Sequence, residues 1–226
     1  MVWRSKSASL EKHIAPVRKI PKNHLFVTGG FSSVKADRLI SFESILEKEY
    51  MILLDFDDQV KWYEEQPVRI PVEGVPRGYV VDLVVHFHQE SRPTELVEVK
   101  IQEDLDINAD LYAPKFEAAT AYCAAKGWIF VKKTEIDIRT PRLENLKFLR
   151  RYRNITPAEQ QLRRVVEILT DHGDTSSSER VLMQLGEAHR EGWLPVLWHM
   201  LLTRQLMTDI DIPMPVDVPL CLPKNN

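Results

Sequence analysis

The chain has 226 residues, of which 44% are apolar and 28% charged, and a formal net charge of −3, an ordinary balance for a soluble globular protein of one large or two modest domains. No run approaches the ~18 consecutive apolar residues of a membrane span, and the basic N-terminus lacks the apolar stretch and cleavage site of a secretory signal. Cys123 and Cys221 have no metal-type spacing, so neither a disulfide framework nor a zinc site is expected, and a reducing cytoplasm is the expected location.

Residues 1–40 show no clear periodicity and are punctuated by Pro16, Pro21 and the Gly29–Gly30 pair, which reads as a basic arm or loop over 1–35. Phe42, Ile45, Leu46, Tyr50, Leu53 and Leu54 recur at helical spacing and predict an amphipathic helix over 41–55, broken by Asp57, Asp58 and Gln59. Three strand-like runs follow: Val68–Val72, the Val-rich Tyr79–Phe87, and Leu96–Ile101, with His88–Thr94 as the turn of a hairpin joining the last two. After an acidic loop, Ala113–Lys126 reads as a helix stopped by Gly127, Trp128–Val131 as a strand and Leu143–Tyr152 as a helix. The order helix, three strands, helix, strand, helix predicts an α/β layer architecture.

A boundary is expected near Asn154. Thr156-Pro157-Ala158-Glu159 looks like a capped helix start with proline in the first turn, and Ser176-Ser177-Ser178-Glu179 like a second capping box. Gly192 is expected to end that helix and Pro195 to open a third. The tail from Gln205 to Leu222 alternates weakly. Three short helices and a hairpin-like tail suit a winged-helix module over 155–226, with a small helical bundle and extended tail as the alternative.

Charge is unevenly spread. Residues 1–22 carry six Lys or Arg against Glu11, and residues 139–153 carry Arg139, Arg142, Lys147, Arg150, Arg151 and Arg153 against Glu144, whereas 43–65 and 95–110 are acidic. Basic flanks around an acidic centre suit phosphate contacts outside and metal-binding carboxylates inside; a solvated charge pattern without a partner is the plain alternative.

The chemistry centres on Asp82 and on Glu98-Val99-Lys100. Asp82 lies in an apolar run, where an ionised carboxylate is costly unless paired or metal-bound. Glu98 and Lys100 are two apart and share a strand face, which Asp82 joins if the hairpin register is right. Two carboxylates suit Mg²⁺, a hard ion that favours oxygen ligands and keeps several waters, and Lys100 suits activation of a water or stabilisation of charge on a phosphate. This D…E-x-K pattern resembles that of restriction-endonuclease-like nucleases, although a cross-strand Glu–Lys pair and an edge Asp give the same letters. Glu43 and Glu47, at i and i+4 on the first helix, offer a further carboxylate. Lys132 and Lys133 end a strand and suit a phosphate contact; Arg150, Arg151 and Arg153 suit the DNA backbone or pairing between domains. His86 and His88 share the parity of Asp82 but fit the decoration of a hairpin end, and Trp193 and Trp198 fit a core or interface.

Four blocks together are more specific. Ser41-Phe42-Glu43-Ser44-Ile45-Leu46-Glu47-Lys48, Asp57 to Pro67, Tyr79-Val80-Val81-Asp82-Leu83 and Val97-Glu98-Val99-Lys100 resemble, in order and spacing, the helix motif, the D-x-x-V-x-x-[FY]-x-E-Q-P segment, and the Y-x-x-D-[FL] and [LV]-E-V-K strands of the TnsA endonuclease family. One departure is Val81, where many relatives have proline before the catalytic Asp.

The resemblance implies a restriction-endonuclease-like PD-(D/E)xK catalytic domain over 36–154 and a winged-helix-like region over 155–226. It implies a site of Glu47, Asp82, Glu98 and Lys100, with Glu47 preferred to Glu43 because it fills the L-E position of the helix motif. Glu47, Asp82 and Glu98 are the expected ligands of Mg²⁺, with Mn²⁺ as a substitute. It also implies double-stranded DNA at transposon ends as substrate, a TnsB-like DDE transposase and a TnsC-like AAA+ regulator as partners, and cutting of the non-transferred 5′ strand in cut-and-paste transposition. A stand-alone restriction- or resolvase-like nuclease and a non-catalytic DNA-binding scaffold are the rival readings.

Overall fold

The computed structural model describes residues 28–36, 38–186 and 190–224. Most of the basic arm lies outside the described residues. Within them, Gly29–Ser32 forms β1, antiparallel to β2 at Leu39–Phe42. The glycine pair is therefore strand rather than loop. A Cβ on Gly29 would lie 2.7 Å from the Phe42 ring, so glycine here permits a close approach, a use that local patterning does not distinguish from a turn.

Helix α1 runs Ile45–Phe56, starting later than 41 because Ser44 caps it: its Oγ accepts the Glu47 N–H at 3.1 Å. Leu46, Tyr50, Met51 and Leu54 are buried along its inner face. Next comes β3, Val60–Glu65, which the sequence reading missed. Its last two positions are glutamates, yet both are buried; Glu65 takes a two-pronged ion pair from Arg38 and the Ser41 N–H.

The predicted strand Tyr79–Phe87 is two strands. β4 at Arg69–Val72 and β5 at Val75–Val80 form their own two-stranded sheet. After a break at Val81 and Asp82, β6 at Leu83–Phe87 enters the main sheet. That sheet has order β3-β6-β7-β8, with β7 at Glu95–Val99 and β8 at Ile129–Lys133. The β6–β7 hairpin is as expected. Pairs β3–β6 and β6–β7 are antiparallel, and β7–β8 is parallel. A parallel neighbour requires a crossover, supplied by α2 at Gln102–Ile107 and α3 at Ala109–Lys126. The segment read as an acidic loop is largely α2, and Gly127 closes α3 at φ +68° as expected.

The two faces of the sheet are distinct. Val84 and Leu96 pair across β6–β7 and pack with Ala119 and Cys123 of α3. Tyr63 pairs with Val85 on the opposite face and reaches α1, donating its hydroxyl to Asp55 at 2.9 Å. The central motif is thus helix, three strands, helix, strand, a mixed α/β arrangement. Its first strand is β3, not the Val68–Val72 run. The short α4, Glu135–Ile138, follows β8.

The chain divides into two compact units between Ile138 and Arg139, ahead of the boundary expected near Asn154. Helix α5, Pro141–Leu149, belongs to the second unit, where Leu149 is part of the core and Asn145 bonds the 210–214 segment. A 3-10 turn at Arg150–Tyr152 and α6 at Glu159–Asp171 follow. The α6 cap is Ala158, whose N–H is taken by the Gln161 side chain, so Thr156 is not the cap. β9 at Thr175–Ser177 leads into α7 at Ser178–Leu185, capped by Ser177. Helix α8, Arg190–Leu202, contains both Gly192 and Pro195, which neither end nor open a helix. The tail folds back on itself at one antiparallel bridge, where Met207 and Cys221 exchange backbone hydrogen bonds at 2.8 and 2.9 Å. Its strand β10, Pro219–Cys221, also pairs back to β9, because Val218 and Leu220 have a place in the core beside Val181, Leu197 and Trp198.

Candidate active site

Just before β6 the chain bends, and Asp82 stands where the β6–β7 register would set it opposite Glu98. Antiparallel partners share a face, so Asp82, Glu98 and Lys100 gather on the α3 side. Asp82 Oδ2 accepts the Val99 N–H at 2.8 Å and lies 3.5 Å from Lys100 Nζ. Lys100 Nζ is 2.9 Å from Glu98 Oε1. Lysine thus lies between two carboxylates, and the other Glu98 oxygen, Oε2, is buried without a well-formed hydrogen bond, although the nearby Tyr79 hydroxyl helps to stabilise the Glu98 carboxylate.

The helix-borne carboxylates approach from α1. Glu47 is buried, and its Oε2 accepts the Glu43 N–H at 2.9 Å. Together with the Ser44 cap, this folds Glu47 back over the start of its own helix. Glu43 is more open and its Oε1 accepts from Gln66 Nε2 at 3.0 Å. Both glutamates raise the proton affinity of a neighbouring carboxylate or have theirs raised by it: Glu47 senses Asp82, and Asp82 senses Glu43.

Electrostatics follow from packing like charges out of water. Burial, and then the Asp82 carboxylate, push Glu47 up to about 8. The same two causes push Glu98 up to about 7. Burial raises Asp82 against the pull of Lys100 and the Val99 N–H. Burial disfavours the Lys100 ammonium, but Asp82, Glu98 and Glu47 outweigh it and hold the group well above its ordinary range. Lys100 therefore stays a cation. Tyr79, raised by burial and by Glu98, lines the same pocket of charge as a neutral phenol.

The ligand set expected from the sequence is drawn together less tightly than a metal cage. Among the described residues no three His, Cys, Asp or Glu side chains converge closely enough to enclose a metal by themselves. The donor chemistry nevertheless suits a hard cation: every candidate donor is a carboxylate oxygen, and the buried Glu98 Oε2, which lacks a well-formed hydrogen bond, is one of them.

Lys132 pairs with Glu98 across β7–β8 and its ammonium lies 5.4 Å from the Phe116 ring, one strand from the carboxylates. Lys133 contributes its carbonyl to Lys100 N–H at 3.1 Å. Arg150, Arg151 and Arg153 lie in the other unit, the first half-buried and the other two exposed. His86 is committed elsewhere: it stacks on Trp62 at 3.8 Å and meets Thr94 Oγ1 at 3.0 Å. Trp193 and Trp198 belong to the core of the second unit. Gln66 stands in the E-Q-P segment with no role assigned from sequence. It is buried, left-handed at φ +47°, and donates its N–H to the Asp82 carbonyl at 2.7 Å.

No helix among the described residues is long and apolar enough to cross a membrane. No curated relative matches the chain. Two family models do: a TnsA-like endonuclease N-terminal domain over residues 57–135 and a TnsA endonuclease C-terminal domain over 137–210. The first spans Asp82, Glu98 and Lys100, and the second begins beside the division between the two units. With both halves matched in order, the chain belongs to the TnsA endonuclease family.

Proposed function

We propose that this chain is the subunit of a heteromeric transposase that cuts the non-transferred 5′ strand at transposon ends by metal-dependent hydrolysis. The observation that carries it is the placement of Lys100 between Glu98 and Asp82, at 2.9 and 3.5 Å, on one face of a mixed sheet. A structural ion pair needs one carboxylate per lysine; two buried carboxyls on one ammonium, with a third at Glu47, supply more acidic oxygens than one lysine uses, a donor set that suits a divalent cation able to displace their protons.

In this reading Asp82 and Glu98 are the main ligands of Mg²⁺, for which Mn²⁺ substitutes, and Glu47 supports them from α1. When bound, the ion supplies Lewis-acid charge to the phosphate and lowers the pKa of a coordinated water. Water adds to phosphorus, the P–O bond to the 3′ oxygen breaks, and the products are a 3′-hydroxyl and a 5′-phosphate. Lys100, held cationic by its neighbours, stabilises the charge that develops on the phosphate rather than removing a proton. Lys132, one strand away, is placed to meet an adjacent phosphate, and Arg150, Arg151 and Arg153 are further backbone contacts.

The order α1, β3, β6, β7, α3, β8 supports a restriction-endonuclease-like core for the first unit. The order α6, β9, α7, α8, β10, with β9 and β10 paired, supports a winged-helix-like second unit. Family membership favours a DDE-type TnsB partner that joins the 3′ ends, a TnsC-like AAA+ regulator, and work on DNA in the cytoplasm. The test is Asp82→Ala in cells carrying the partner genes. Simple insertions are expected to give way to cointegrates, since 3′ joining proceeds while the 5′ strands stay attached to the donor. Unchanged simple insertions would overturn the reading.

A further inference from the structure

We propose that Gln66 is a positioning residue of this site, a strut that fixes the N-terminus of α1 against the bend carrying Asp82; the inference rests on the nuclease reading. Three observations meet at this residue. Its backbone N–H donates to the Asp82 carbonyl at 2.7 Å. Its side-chain amide donates to Glu43 Oε1 at 3.0 Å, and the Glu43 N–H in turn donates to Glu47 Oε2 at 2.9 Å. A continuous chain of hydrogen bonds therefore runs from the Asp82 backbone through Gln66 and Glu43 to Glu47, joining carboxylates that come from separate elements of the fold.

The same residue is unfavourable by local rules in two ways. Its φ of +47° is a left-handed conformation that glycine and asparagine adopt more easily than glutamine. Its Oε1 is buried, in a residue 6% exposed overall, with no hydrogen-bond partner. Strained backbone and an unsatisfied buried acceptor persist where surrounding structure enforces them, and they concentrate at functional sites. A glycine would relieve the backbone and abolish the strut, which makes it an informative substitution.

Gln66→Gly keeps the N–H to Asp82 and suits the backbone. The purified full chain carrying it should melt no lower than the parent. It should bind Mn²⁺, titrated directly by calorimetry, at least threefold more weakly. It should cut the 5′ strand at transposon ends, with its partners present, at least tenfold more slowly at saturating metal. Gln66→Asn, which also accepts left-handed backbone but falls one methylene short of Glu43, should show the same two losses and guards against a folding defect peculiar to glycine. Parental cutting and Mn²⁺ affinity in both variants would overturn the inference, as would losses that merely follow a lowered melting temperature. Asp82→Ala in the same assay separates the two failures. If it is inactive while Gln66→Gly cuts normally, only the strut fails; if it cuts normally, the nuclease reading fails first.

Discussion

Asp82 accepts the backbone N–H of Val99 at 2.8 Å, although Asp82 belongs to neither of the strands that flank it. The bond ties a bend to the residue between Glu98 and Lys100, so the carboxylate is oriented by the sheet and not only by charge. Asp82→Asn preserves an oxygen for this bond and removes the charge. The variant should fold and melt at or slightly above the parent, because a buried carboxylate near Glu47 and Glu98 costs more than a neutral amide. Strand cutting should fall roughly a hundredfold or more, the scale of losing one preorganised electrostatic contact to the transition state. A nicking assay run beside thermal denaturation checks both.

Lys100 offers the complementary test. Lys100→Met keeps the apolar stem but leaves Asp82 and Glu98 facing each other without their cation. Breaking a buried ion pair on one side destabilises by about 3 kcal/mol or more, less where the carboxylates can take up protons instead. The loss in melting temperature should therefore be larger at pH 8 than at pH 6. An equal loss at both pH values would mean that packing of the stem, not the charge, is what Lys100 contributes.

The pH dependence of the metal-free chain has a definite sign. Glu47 is raised to about 8 and Glu98 to about 7, both first by burial and then by Asp82. A carboxyl with its folded value raised binds its proton more tightly in the folded state, so its stabilising contribution is complete below the ordinary value near 4.5 and is lost as pH climbs through the folded value. Metal-free protein should lose stability between about pH 5 and 8. Mg²⁺ competes with those protons, so its stabilising effect should be larger at pH 8 than at pH 6. Melting curves with Mg²⁺ and with chelator across that range check this, and a metal effect that is flat or larger at pH 6 would remove these glutamates from the ligand set.

How far the sequence carries the reader depends on whether a residue's environment is local. The β6–β7 hairpin was legible because the apolar runs around Val84 and Leu96 flank a turn-rich segment, and the alignment of Asp82 with Glu98 follows from that register alone. The Gly127 stop was legible for the same reason. β3 was not, because Glu64 and Glu65 read as surface residues; Glu65 is buried only because Arg38, 27 positions away, meets it with a two-pronged ion pair. The division of Tyr79–Phe87 at Asp82 was equally hidden, since Tyr79-Val80 and Leu83–Phe87 read as one apolar run and are told apart by their partners, β4 for the first and β3 and β7 for the second. The tail was legible in part: Met207 and Cys221 do bridge within it, but the longer ladder of β10 is with β9, more than 40 positions earlier. Gln66 shows a subtler limit. Its place in a motif was visible, whereas its left-handed backbone and link to Glu43 exist only in the folded chain.

The second unit has its own point of failure at Asn145. This buried side chain donates to the carbonyls of Ile210 and Ile212, at 2.9 and 2.7 Å, and accepts the Met214 N–H at 3.3 Å. It thereby satisfies three backbone groups of a segment that lacks helix or strand bonds of its own over those positions. Asn145→Leu is close in size but supplies no partner, leaving those groups to find water or remain unpaired at about 1–3 kcal/mol for each one kept buried. Since the segment reaches the surface and water can reclaim part of the loss, the net cost should be about 2–4 kcal/mol. The readout is local: amide exchange should accelerate at Met214, whose N–H loses its acceptor, before it accelerates in α6 or α8. If protection at Met214 is unchanged while the α6 and α8 amides exchange faster, Asn145 matters through the packing of α5 and not through the backbone groups it satisfies.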